Sequence, residues 1–318
     1  MSIHFLSKGP IDQISGGYLY NRYLVEHLRS AGLDVTYHAS IGDLDAIADQ
    51  EVVIIDGLVL PDLAPRLLEV GGRLVLLLHV VPEPQAVEGR EVLAVDALYR
   101  RSRVVVTGDS TLTSLRDELA LAGVDAVKIE PGVPGHWHAK TRYSDRAHKL
   151  LGVANYLPGK GIARLIEALA TLTDLDWHLT VRGNTDFDQA HYRAMRQMVA
   201  ARGLADRIEL LGPVPHDAVH AEMLGADLLI LLSQHESYSM VTAEAIACGL
   251  PVLSCPTGNA ESFGRSGLVR HVDHRSAGEV LRALISDSGE YGRLRRTGLL
   301  EARTWQDVGE EFLDWLGT

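Results

Sequence analysis

The stretch Leu228-Leu229-Ile230-Leu231-Leu232-Ser233-Gln234-His235-Glu236-Ser237-Tyr238-Ser239-Met240-Val241-Thr242-Ala243-Glu244-Ala245 decides the fold. Its apolar opening, Leu228–Leu232, is short and continuous, as expected of a strand buried on both faces. A polar loop carrying Glu236 follows, and a helix beginning near Ser239 carries Glu244. Strand, polar loop and helix together form the repeating unit of an open parallel sheet.

Outward from this stretch the unit recurs in both directions. Downstream, Val241–Cys248 (helix) leads to Pro251–Ser254 (strand). Upstream lie Leu150–Ala154, Trp177–Val181 and Arg207–Leu211 as strands, separated by helices at Ile162–Leu172, Gln189–Arg202 and His216–Leu224. Further back, Ile3–Leu6, Val52–Ile55, Leu74–Leu78 and Val104–Val106 read as strands. Gly17–Ala31, Asp62–Val70, Val87–Arg100 and Ser110–Ala122 read as the helices between them. The rhythm breaks at Pro131-Gly132-Val133-Pro134-Gly135-His136-Trp137-His138, where prolines and glycines mark a linker. Two doubly wound, Rossmann-like α/β domains are therefore expected, residues 1–140 and 141–302, followed by a terminal helix at 303–318 with Trp305, Val308, Phe312 and Trp315 as its apolar stripe. Ligands of such sheets bind beyond the carboxyl ends of the strands. Two domains facing one another would share one cleft.

Composition narrows the function. The 318 residues are 46% hydrophobic and 23% charged, and 30 Lys+Arg against 42 Asp+Glu give a net charge of −12. An acidic chain lacks the broad positive field of a nucleic-acid binder. Cys248 and Cys255 show neither a disulfide framework nor a zinc-ligand spacing. No signal-peptide pattern opens the sequence and no apolar run approaches the ~20 residues of a membrane span, so a cytoplasmic protein is expected.

The strand ends carry the chemistry. Ser15-Gly16-Gly17 opens the first helix, where backbone can approach a ligand and helix amides favour an anion. His79 ends the third strand of the first half. In the second half a strand leads into Asn155-Tyr156-Leu157-Pro158-Gly159-Lys160-Gly161, a lysine held between glycines that lacks P-loop spacing. Arg182 offers a second cation at the next strand end. The amides of Ser239, Met240 and Val241 are first-turn donors suited to a diphosphate. Glu236 suits sugar hydroxyls, and Glu244, set among small apolar residues, needs a partner if buried. The Asp-x-Asp pairs Asp43/Asp45, Asp174/Asp176 and Asp186/Asp188 follow no strand in the way a metal-dependent donor site requires and read as solvated loops or helix caps.

Glu236 and Glu244, with seven residues between them, then Ala245-Ile246-Ala247-Cys248-Gly249-Leu250-Pro251-Val252, resemble the nucleotide-sugar motif of retaining family 4 glycosyltransferases (glycosyl transferases group 1) of the GT-B fold. The likeness extends to Gly16-Gly17, His79, Lys160-Gly161, the Ile208–Val214 stretch and the Trp305 helix. It implies that the terminal helix crosses back to the first domain. It further implies that Glu236 and Ser237 hold the donor sugar and Glu244 the ribose. Lys160, Arg182 and the Ser239, Met240 and Val241 amides would take the diphosphate, and the base would rest near Pro213 and Val214. His79 would lie beside the transferred sugar, with Gly16 and Gly17 lining the acceptor side or touching phosphate; His79, Lys160 and Glu236 would form the catalytic set. The donor is then a nucleotide sugar used as co-substrate, with no metal and no further cofactor. Asn155 departs from the family, which usually has an arginine there. That substitution keeps a non-catalytic binding or partner protein as the alternative. The basic segments Arg100–Arg103 and Lys140–Lys149 form no long amphipathic helix. The acceptor is expected to be soluble, and peripheral membrane contact stays among the alternatives.

Overall fold

The computed structural model describes residues 2–13, 15–40, 51–81, 90–118, 124–137, 139, 143–295 and 302–317. The expected helix starts at 87–89, the end of the Ser110–Ala122 helix and the Asp43/Asp45 pair lie outside them. The chain divides into two compact units, Met1–Gly132 with Arg303–Thr318, and Val133–Ala302.

In the first unit six strands form one parallel sheet: β1 (Ser2–Leu6), β2 (Asp34–His38), β3 (Val52–Asp56), β4 (Arg73–Leu78), β5 (Arg103–Val106) and β6 (Ala126–Lys128). Their order is β2-β1-β3-β4-β5-β6. Val52, Val53, Ile54 and Ile55 are completely buried, because helices cover both faces of the sheet. The winding reverses between β1 and β3, the point of such a sheet at whose carboxyl ends ligands generally bind. The helix Trp305–Leu316 belongs to this unit. A capping box between Thr304 and Asp307 starts it. It packs on the helix Gly16–Ser30: Trp305 stacks on Tyr23 at 4.6 Å, and Gly309 lies so close that a Cβ there would stand 2.1 Å from the His27 ring. At its far end Arg73 and Arg103 donate to the Leu316 and Trp315 carbonyls at 3.3 and 2.7 Å, countering the negative end of the helix dipole.

The second unit contains β7 (Lys149–Val153), β8 (His178–Arg182), β9 (Ile208–Leu211), β10 (Leu228–Leu231), β11 (Val252–Ser254) and β12 (Val269–His271), all parallel. The order is β12-β11-β10-β7-β8-β9. Leu228, Ile230 and Leu232 enter one core with Trp177 and Ile166, while Leu229 and Leu231 enter the other with Ala245 and Val252. Both faces of this strand are buried, which is why its sequence is continuously apolar rather than alternating. The reversal point is the β7–β10 pair, so the loops after those strands, carrying Lys160 and Glu236, meet there. Cys248 and Cys255 are both buried and form no disulfide. No helix among the described residues is long and apolar enough to cross a membrane.

Candidate functional site

Close backbone approach builds the site of the second unit. Gly161 has φ +72, and a Cβ on it would stand 2.0 Å from the Leu232 carbonyl oxygen. Only glycine fits there, and the fit presses the Lys160 turn against the end of β10. The Gln234 amide closes the contact by donating to Gly159 O at 2.8 Å. From the other side Gly258, φ +64, lies against the Tyr238 carbonyl, to which the Asn259 amide donates at 3.2 Å. The Glu236 loop is held between these two glycines. Lys160 Nζ and Glu236 Oε1 are 2.8 Å apart, both half-buried.

Ser239 begins the helix Met240–Ala247 in left-handed backbone, φ 77, the only non-glycine with positive φ among the described residues. Such a conformation costs about 1–3 kcal/mol and persists where surrounding structure holds it. The Ser239 hydroxyl pairs with that of Thr242 at 2.8 Å and makes no capping bond to the helix. Met240 and Val241 contribute first-turn amides, which have no acceptor within the helix. Ser237 sits half-buried beside Glu236.

Glu244 is 3% exposed and meets the need for a partner through His216, with Nε2 2.8 Å from Oε1. Sequence reasoning did not single out His216. It opens the helix His216–Gly225 directly after Pro213-Val214-Pro215, and its ring lies 4.9 Å from that of Trp137. The segment expected near the base therefore adjoins the residue expected on the ribose. Arg182 points its Nε to Glu222 of that same helix at 2.7 Å. Asn155 Oδ1 accepts from the Asn184 amide at 3.0 Å, tying the β7 loop to the β8 loop. There Gly183 is required, since its Cβ would stand 1.9 Å from Ala154 O. Lys160 and Glu236 are brought into direct contact, as are Glu244 and His216, whereas Arg182 is engaged with Glu222. Of the remaining Asp-x-Asp residues, Asp188 caps the helix Gln189–Ala201 and Asp174 pairs with Arg282.

In the first unit His79 follows β4 directly. A Cβ on Gly17 would stand 2.9 Å from its Cδ2, so the glycine lets the helix Gly16–Ser30 lie against the ring. Asn21 Oδ1 is 2.9 Å from His79 Nε2, and Tyr20 meets the ring edge-on at 5.3 Å. Asn21 and Asp56, which the sequence did not flag, join in a fully buried network with Ser7.

Burial pushes the His79 pKa below that of a free imidazole, outweighing the opposing pull of Asp56. The folded state therefore takes up its proton later than the unfolded chain, whose value is about 6.5. Stability contributed at neutral pH is lost as pH falls below about 6.5. Between about pH 7.5 and 5.5, urea midpoints are expected to fall less steeply for His79→Gln than for the wild type. Parallel slopes would contradict this assignment.

Two six-stranded parallel sheets in tandem, with these strand orders, define the GT-B fold. Sucrose-phosphate synthase from Thermosynechococcus elongatus shares it, with a TM-score of 0.79, 18% identity and coverage of 99% of this chain and 98% of that one. Anabaena HepE, solved in complex with UDP-glucose, has a TM-score of 0.76 at 17% identity, covering 99% of both chains. The family profile described as glycosyl transferases group 1 matches residues 136–298, and the chain belongs to that family. A D-inositol 3-phosphate glycosyltransferase of Xylanimonas cellulosilytica is 28% identical over 252 residues, 74% of this chain and 60% of that protein. Mannosylfructose-phosphate synthase of Agrobacterium fabrum is 27% identical over 188 residues, 55% and 41% of the two chains. Among the D-inositol 3-phosphate glycosyltransferases, the chain spans about half to three-fifths of the length of the curated relatives it matches.

Proposed function

We propose that this chain is a retaining glycosyltransferase that moves a sugar from a nucleoside-diphosphate sugar to a hydroxyl of a soluble acceptor, without a metal ion. The observation that carries the reading is the Lys160–Glu236 contact where β7 and β10 diverge, set just before the helix Met240–Ala247. A cation, a carboxylate and a helix N-terminus converge there, as a diphosphate bearing a sugar requires.

In this reading Lys160 turns from Glu236 to the diphosphate, assisted by Arg182 and the amides of Ser239, Met240 and Val241. Their task is to stabilise negative charge as it develops on the leaving group. Glu236 and Ser237 bind sugar hydroxyls. Glu244, steadied by His216, binds the ribose, and the base lies along Pro213-Val214. His79 and the Gly16-Gly17 loop face the transferred sugar. The bond from the anomeric carbon to the diphosphate oxygen breaks as the acceptor oxygen bonds to that carbon from the same side. The acceptor proton passes to the departing phosphate oxygen, so the products are the glycoside and the nucleoside diphosphate.

The test is to incubate the protein with the common UDP-, GDP-, ADP- and dTDP-sugars and follow nucleoside diphosphate release. Slow hydrolysis of one donor, releasing a sugar with its anomeric configuration unchanged by proton NMR, is expected. Inversion at the anomeric carbon would overturn the retaining assignment. Binding of a donor with no release under any acceptor mixture would favour the non-catalytic alternative.

A further inference from the structure

The buried network of the first unit has a direction that fixes the chemistry of His79. Asp56, at the end of β3, accepts from three donors. The Leu58 amide donates to Oδ1 at 3.0 Å, and the Ser7 hydroxyl and Asn21 Nδ2 donate to Oδ2 at 2.7 and 2.6 Å. A carboxylate has no proton to give, so the Asn21 amide must face it with its NH2 group. The oxygen of that amide is then the atom turned to His79, 2.9 Å from Nε2. Because an amide oxygen only accepts, Nε2 must carry the proton. In a neutral imidazole the lone pair is then left on Nδ1.

The scaffold holds this arrangement firmly. Ser7, Asn21 and Asp56 are all completely buried. Gly17, Tyr20 and Asn21 stand at positions i, i+3 and i+4 of one helix, and all three meet the His79 ring. Thr111 donates its hydroxyl to the His79 carbonyl at 3.2 Å, fixing the backbone beneath. His79 as a whole residue is half-buried.

We infer that Asn21 and Asp56 are positioning residues that lock His79 in its Nε2–H form, so that its Nδ1 accepts from a ligand hydroxyl rather than meeting an anion. A sugar or polyol hydroxyl has the proton that Nδ1 requires. A carboxylate or sulfate oxygen has none to give near neutral pH and meets the lone pair as repulsion. This inference rests on the proposed function only in holding that His79 touches substrate.

The tautomer is read directly from long-range proton–nitrogen NMR of 15N-labelled wild-type protein near pH 7.5, with His79 assigned by its loss in His79→Gln. The Nε2–H pattern is expected, and addition of inorganic sulfate, an anion with no proton at this pH, should leave it unchanged. In Asn21→Leu, shown folded by its thermal melt, the preference should vanish. An Nδ1–H pattern in the wild type, or conversion to imidazolium by sulfate, would overturn the inference. Turnover gives a second readout. The side-chain oxygen of His79→Asn falls near the Nδ1 position, so this variant should keep kcat/KM within about tenfold, while His79→Gln, which reaches toward Nε2, should lose more. The reverse ranking would also overturn it. Absence of donor turnover in the wild type would instead strike the proposed function, and the tautomer measurement would stand apart from it.

Discussion

Lys160→Ala is expected to lower kcat for the accepted sugar nucleotide by about 10²–10³-fold, the usual cost of removing one preorganised group that stabilises developing negative charge. The effect should fall on kcat more than on KM, because the charge on the leaving group grows as its bond to the sugar breaks. Stability should scarcely change. The Lys160–Glu236 pair keeps 29% and 17% of its side-chain surface exposed. Such pairs contribute about 1 kcal/mol or less. Steady-state kinetics beside a urea melt separate the two effects. An unchanged kcat would remove Lys160 from the diphosphate.

Gly161→Ala is expected to be among the most destabilising single-methyl additions in the second unit. The left-handed backbone alone costs alanine about 1–2 kcal/mol. The added carbon would also stand 2.0 Å from Leu232 O, so either the Lys160 turn or the end of β10 must move. Together these predict a loss of about 2–5 kcal/mol. Two other glycines separate the causes. Gly203 has φ +68 with nothing within 4 Å of its Cβ, so Gly203→Ala should show the backbone cost alone. Gly159 has open space and no positive φ, so Gly159→Ala should be nearly neutral. Urea denaturation of the three variants should give that order. A Gly161→Ala loss no larger than that of Gly203→Ala would show that the turn is not pressed against β10.

Much of this architecture was legible because central strands advertise themselves. Val52–Ile55, Leu74–Leu78 and Leu228–Leu231 are buried on both faces and so are apolar without interruption. The hydrophobic pattern gave no sign of β2, β6 and β12. All three lie at sheet edges, and they contain Asp34, Thr36, Lys128 and Arg270, side chains that an edge can leave in water. The site divided in the same way. Strand ends and glycine loops pointed to His79, Lys160 and Glu236, and the apolar setting of Glu244 announced that it needed a partner. The identity of that partner was hidden, because His216 lies 28 residues away on another helix. Likewise, Ser7, Asn21 and Asp56 are unremarkable in sequence. Only the parallel order that sets β1 beside β3 brings them together.

The central claim is that the second unit binds a nucleoside diphosphate through Glu244 and the groups converging where β7 and β10 diverge. Thermal denaturation with UDP, GDP, ADP and dTDP, and with their sugar conjugates, tests it most directly. A ligand at 100-fold its dissociation constant stabilises by about 2.7 kcal/mol, well within detection. One base is expected to raise Tm in the wild type. That shift should be lost in Glu244→Ala and reduced in Glu244→Gln, which keeps a hydrogen-bonding group opposite His216. No shift with any nucleotide, or an equal shift in the Glu244 variants, would contradict the account.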